Sequence, residues 1–185
     1  ENNYCDETSP LNPISNYAKD KVLIEEDLRS KENFISFRLA TVFGVSPRMR
    51  IDLLVNDFVY RAINDKFIVL FEAHFKRNFI HVRDVSNAFI HSIVNFDQMK
   101  NQVYNVGLSN ANLSKLELCN FIKKYLNDFV FFEDTFNKDP DQRNYIVSNK
   151  KIENTGFIPK YSLDYGIKEL IKGYKYLKKN NHSNF

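Results

Sequence analysis

Phe34-Ile-Ser-Phe-Arg38-Leu-Ala-Thr41-Val-Phe-Gly44 is the stretch on which the fold turns. It is apolar, rich in β-branched and aromatic residues and closed by a glycine, so it reads as a buried strand. Upstream, residues 16–30 carry Ala18, Val22 and Leu28 on a repeating face, which predicts a helix. Downstream, Leu54, Val55, Phe58, Val59 and Ala62 give residues 52–63 helical spacing. Short strands are expected at 67–71, 79–82, 103–106 and 129–132, with Asp84 as the N-cap of a helix over the following residues. Ser114-Lys-Leu-Glu117 fits a capping box, residues 149–154 a short helix stopped at Gly156, and Ser162 the cap of a last helix to about residue 177. Strands alternating with helices predict the α/β class.

The chain has 185 residues, 43% hydrophobic and 26% charged, the mix of a soluble globular protein. No stretch approaches the roughly 20 apolar residues of a membrane span. Cys5 and Cys119 are too few for a disulfide framework or a structural zinc site, and a reduced, cytoplasmic setting is the simplest reading. His74, His81 and His91 show no metal-ligand spacing, so no metal is expected. The net charge of +3 reflects a basic terminal helix, Lys168 to Lys179, which reads as a solvated face. A nucleic-acid partner would rest on that helix alone. Arg38, inside an apolar strand, needs an ion-pair partner. Gly44, Gly107, Gly156, Gly166 and Gly173 are too dispersed for a dinucleotide- or phosphate-binding turn.

The sharpest chemical feature is Tyr17-Ala-Lys-Asp-Lys21. Four residues along a helix bring a phenol and an ammonium to one face. A neighbouring cation favours phenolate, and such a tyrosine can take a proton from a sugar hydroxyl or return one to a ketone. Spacing alone does not decide, because Tyr174 and Lys178 repeat it in the terminal helix.

Context separates the two. Ser9-Pro-Leu-Asn-Pro-Ile-Ser-Asn-Tyr17-Ala-Lys-Asp-Lys21 resembles the loop and catalytic helix of extended short-chain dehydrogenases/reductases, the nucleotide-sugar epimerases and dehydratases. Phe37 to Gly44 resembles the strand that follows, Lys76-Arg-Asn-Phe-Ile-His-Val-Arg-Asp-Val85 the family's F-I-H-V segment, and Tyr104-Asn-Val-Gly107 its next short strand. Asp139-Pro-Asp-Gln-Arg143 and Thr155-Gly-Phe-Ile-Pro159 resemble the closing substrate-side region. The resemblance runs in register from about Thr8 to Tyr174.

It implies the carboxy-terminal half of a Rossmann-like parallel sheet plus a smaller α/β substrate-binding lobe. Residues 1–100 would be mainly the Rossmann-like part with the Tyr/Lys helix, with lobe elements interleaved, and 101–185 mainly the lobe. Tyr17 would be the acid/base, and Lys21 would hold the ribose of NAD. Arg77 and Arg143 would meet the nucleotide diphosphate, and Thr41 and Asn56 would make polar substrate contacts. Thr41 stands where the family often has Asn, and Glu72-Ala-His-Phe75 replaces a glycine-bearing turn. The family's catalytic Ser or Thr and its glycine-rich βαβ unit lie further upstream than the 16 residues before Tyr17. The implied reaction is NAD-dependent 4-epimerisation of a nucleotide-linked sugar by a homodimer. A 4,6-dehydratase and a non-catalytic binding or dimerising remnant are the alternatives.

Overall fold

The structure, a computed structural model, describes residues 4–134 and 144–176. In chain order the elements are β1 (Tyr4–Cys5), α1 (Asn16–Arg29), β2 (Ile35–Leu39), β3 (Thr41–Phe43), α2 (Leu54–Asn64), β4 (Phe67–Phe71), β5 (Lys76–His81) and α3 (Val82–Val94). There follow α4 (Phe96–Met99), β6 (Gln102–Val106), β7 (Asn112–Ser114), α5 (Lys115–Lys123), β8 (Val130–Asp134), β9 (Ile146–Val147), α6 (Lys150–Glu153) and α7 (Leu163–Tyr176). Ser15 opens α1 by accepting the Ala18 N–H at 3.2 Å, and Ser114 with Glu117 forms the expected capping box on α5.

Four strand pairs are parallel, β1 with β9, β2 with β6, β3 with β5 and β4 with β8; β5 with β7 is antiparallel. The single strand expected over residues 34–43 divides at Ala40. Its first half runs beside β6, with a last bond from the Ala40 N–H to the Val106 carbonyl at 2.9 Å. Its second half runs beside β5, with Thr41 opposite Phe79. Leu108 then donates to the Phe79 carbonyl at 2.9 Å, so β5 wedges between two diverging strands. Gly107 permits that crossing: a Cβ there would lie 1.7 Å from Asn78 Oδ1.

β2 is half-buried rather than buried, because among the described residues β6 is its one strand partner. Two corrections concern α3 and β7. The N-cap of α3 is His81, whose Nδ1 accepts the Arg83 N–H at 3.2 Å. Asp84 instead lies buried in the first turn and accepts the Lys160 and Tyr161 N–H groups at 2.9 and 2.8 Å. β7 is too short, at three residues, for periodicity to reveal it.

Two apolar clusters hold these elements. One joins Ile80, Ala88, Met99, Tyr104, Val106, Ile152 and Phe157 around β5, β6 and α3. The larger includes Phe43, Met49, Val59, Leu70, Leu118, Phe129 and Leu170, linking α2, α5 and α7 to β4 and β8. Both draw residues from either side of residue 100. Among the described residues no helix is long and apolar enough to cross a membrane.

Candidate active site

Helix α1 is fastened to β2 by a bidentate ion pair. Arg38 Nε and Nη2 donate to the two oxygens of Glu25 at 2.8 and 2.7 Å, and Arg29 adds two bonds to Oε1 at 3.3 and 3.0 Å. The guanidinium of Arg38 holds the Glu25 carboxyl below the usual carboxylate range against the opposing effect of burial. This is the partner that Arg38 required. The pair also sets the height of Tyr17. Eight helical residues before Glu25 climb roughly 12 Å at 1.5 Å each. Four strand residues beyond Arg38 climb roughly 13 Å. Helix α1 therefore runs down from the carboxyl-end side of β2, with Tyr17 in its first turn.

There the phenol is 72% exposed, and Lys21 Nζ lies 5.4 Å from the centroid of its ring. The helix thus presents both side chains on one open face. The second pair behaves differently. Tyr174 is half-buried and donates to the Asn56 carbonyl at 2.9 Å, and burial pushes its phenol far above the usual range. Such a phenol is held protonated. Lys178 lies outside the described residues.

Asn56 is 2% exposed, and both ends of its amide serve the backbone. Oδ1 accepts the Gly44 N–H at 3.1 Å, and Nδ2 donates to the Arg50 carbonyl at 2.9 Å. It shapes the loop after β3 rather than presenting a free amide to a ligand. On that loop Arg50 pairs with Asp52, Nε to Oδ1 at 3.1 Å and Nη2 to Oδ2. The Asp52 carboxylate, and more weakly Tyr17, raise the proton affinity of the Arg50 guanidinium. Sequence reasoning missed this residue. Its signal was a basic loop, Pro47-Arg-Met-Arg50-Ile-Asp52, directly after the strand glycine.

Thr41 is half-buried on β3, in the strand pair to which Arg77 also belongs. Arg77 is 5% exposed, with Nη1 donating to the Lys76 carbonyl at 2.9 Å and the guanidinium 6.0 Å from the Tyr145 ring centroid. Arg143 lies outside the described residues. Its neighbour Asn144 accepts the Lys76 N–H at 2.9 Å, adjacent to Arg77.

His81 is fully buried, and because Nδ1 accepts, Nε2 is the nitrogen that donates to Glu169 Oε2 at 3.0 Å. Tyr161 stacks on its ring and Arg83 pairs with Glu169 at 2.7 Å, so this network clasps α7 to β5. Gly44 lies against it with φ +117, where a Cβ would come 2.6 Å from His81 Nε2. Cys119 is buried and its thiol is pushed up to about 12 by desolvation, out of nucleophilic use. Among the described residues no three His, Cys, Asp or Glu residues are grouped to hold a metal. A cavity of about 500 Å³ lined by Glu7, Arg29, Phe34, Arg38, Gln102 and Lys151, among others, borders β2 and β6 without reaching the Tyr17–Lys21 face.

The chain resembles known proteins along most of its length. It is 25% identical over 194 residues to a putative UDP-glucose 4-epimerase of Methanocaldococcus jannaschii, covering 99% of this chain and 60% of that protein. An uncharacterised protein of Schizosaccharomyces pombe is 25% identical over 213 residues, covering 94% of this chain and 57% of its own length. The chain therefore spans about three-fifths of these curated relatives. The crystal structure of the UDP-glucose 4-epimerase of Thermus thermophilus in complex with NAD superposes with a TM-score of 0.76 at 20% identity, covering 94% of this chain and 58% of that one. That likeness shows a shared Rossmann-type fold. The family model described as NAD dependent epimerase/dehydratase matches residues 2–107, more than half of the chain, and with the α/β fold and the Tyr17–Lys21 helix this places the protein in the NAD dependent epimerase/dehydratase family.

Proposed function

We propose that the protein to which these residues belong epimerises a nucleotide-linked hexose at C4. The observation that carries this reading is the Tyr17–Lys21 pair, exposed side by side at the carboxyl end of parallel strands. Open α/β sheets bind their ligands at that end. NAD, when bound, supplies the acceptor and donor of a hydride. Tyr17 takes the proton of the C4 hydroxyl as the ketone forms and returns it to the oxygen after the sugar has turned over. Lys21 holds the nicotinamide ribose and keeps positive charge beside the phenol. The donor set fits that end of NAD, whereas no glycine-rich turn for its pyrophosphate occurs among these 185 residues.

Arg77 and Arg143 bind the diphosphate, for which a planar fork of donors is suited. Thr41 offers a hydroxyl to the substrate, and Asn56 acts through the loop that it shapes. Residues 1–100 and 101–185 divide mainly between sheet and substrate lobe, and the whole protein works as a cytoplasmic homodimer. A relative named as a putative UDP-glucose 4-epimerase supports this reading.

The test is Tyr17→Phe in the whole protein. Nucleotide-sugar binding should survive and turnover should fall by ~100- to 10,000-fold, the usual contribution of a general acid–base group. Near-normal turnover in this variant would remove Tyr17 from the mechanism. A product that has lost water instead of changing configuration at C4 would make the protein a dehydratase.

A further inference from the structure

Strand β4, Phe67-Ile-Val-Leu-Phe71, is apolar throughout and runs parallel to β8, Val130-Phe-Phe-Glu-Asp134. Unbroken apolar runs and parallel pairing both belong to sheets covered on two faces. Here the described residues cover one. Ile68 and Leu70 point into the core at 4% and 1% exposure, whereas Phe67, Val69 and Phe71 are 37–45% exposed. Val130 and Phe132 of β8 stand on the same outer side, 42% and 59% exposed. The Phe67 and Phe132 rings lie 5.6 Å apart, so these side chains form one patch. At the carboxyl end Phe71 stands beside Asp134, and the apolar surface stops there.

The register of the patch points to what covers it. Phe67 stands beside Val130 and Val69 beside Phe132, so large and small side chains occupy opposite diagonals. A two-fold axis parallel to the strands, midway between two facing copies, sets β4 of one over β8 of the other. The diagonals then exchange, and Phe67 meets Val130 while Phe132 meets Val69. The same rotation brings the exposed Lys66–Asp128 pair at the strands' amino ends, 2.6 Å long, against its own reverse. Lys66 of each copy then faces Asp128 of the other. A surface complementary to itself in shape and in charge fits a second copy. We propose that the outer face of β4 and β8 is a self-association surface, on which two copies of the chain pack sheet to sheet with each Phe seated on a Val. Aligned sheets pack about 10 Å apart with strands within about 30° of each other, which this arrangement satisfies. Taking about 200 Å² for a whole aromatic side chain, the patch exposes roughly 400 Å² per copy. The dimer buries roughly 800 Å², below the roughly 1,200 Å² of a standard stable interface, so it is weak and reversible. This inference is independent of the role of Tyr17.

The test is sedimentation velocity on the 185-residue chain carrying Ile93→Glu and Val94→Lys, which removes any contribution of α3. This protein should dimerise with a dissociation constant of roughly 10–100 μM. Adding Phe132→Lys should leave a monomer over that range, and Phe67→Lys gives the same readout should the first variant not fold. Val69→Phe enlarges the apolar patch but sets Phe against Phe, and should weaken the dimer about tenfold. Combining Val69→Phe with Phe132→Val puts large over small again and should restore the affinity to within about threefold. A starting protein that stays monomeric at about 100 μM overturns the inference and leaves the face to another occupant. Association that Val69→Phe strengthens or leaves unchanged is unspecific apolar adhesion and overturns it as well. So does a double variant that fails to recover.

Discussion

Tyr17 and Tyr174 start the same four-residue spacing, yet their surroundings give the two phenols opposite properties. Tyr17 is exposed beside Lys21, whereas the half-buried Tyr174 donates to the Asn56 carbonyl. Tyr174→Phe removes one such bond and should lower stability by about 1 kcal/mol, read by urea denaturation. Turnover should change far less than in Tyr17→Phe. The sign of the pH effect follows from burial. A phenol held above its ordinary value gives full stability below about pH 10 and loses it as pH rises towards the folded value. Alkaline pH should therefore unfold the wild type more steeply than the Phe variant, and identical alkaline limbs would contradict the structural role of Tyr174. At this scale the sequence showed both matches, and its flanking residues chose between them. The occupied amide of Asn56 was invisible, because its partners lie across turns of the fold.

Helix α1 and the strand after it form one unit, and its fastening is the Glu25–Arg38 pair. Glu25 is 8% exposed and serves two guanidinium groups. Glu25→Gln leaves Arg38 half-buried without its carboxylate and should cost roughly 3 kcal/mol, the lower end for breaking a buried pair. The carboxyl is depressed in the folded state, so its contribution is complete above its unfolded value near about 4.3 and is lost as pH falls through the folded value. Thermal unfolding from pH 7 down to pH 3 should show a shallower acid limb in Glu25→Gln; a parallel limb would detach the pair from acid stability. That Arg38 needs a partner was legible from an arginine in an apolar strand. The break at Ala40 was not, since it depends on which strand lies alongside at each height.

At the scale of the molecule, apolar side chains among the described residues are exposed on α3 and on the outer face of β4 and β8, as well as at Leu23 and Ile24 of α1. Helix α3 exposes Phe89, Ile90, Ile93 and Val94, the last two at 73% and 77%. The outer face of β4 and β8 exposes Phe67, Val69 and Phe132, and β2 has a single strand partner among the described residues. Clustered apolar surface and open strand edges favour association. Sedimentation velocity on the 185-residue chain should show mass rising with concentration, and Ile93→Glu with Val94→Lys should reduce it. A monomer at about 100 μM in both proteins would show that these faces do not drive association.

The sequence by itself determined what depends on near neighbours: the alternation of helices and strands, the Tyr17–Lys21 face, the capping box at Ser114 and the demand of Arg38 for a counter-charge. Periodicity, caps and the cost of burying a charge act within a few residues and are written in local order. Only the tertiary structure decided that β5 wedges into the sheet at Ala40 and that Asn56 is consumed by Gly44 and Arg50. Those outcomes depend on contacts between segments far apart in the chain, such as Tyr174 with Asn56 and His81 with Glu169. They are set by packing of the whole chain, which no local pattern encodes.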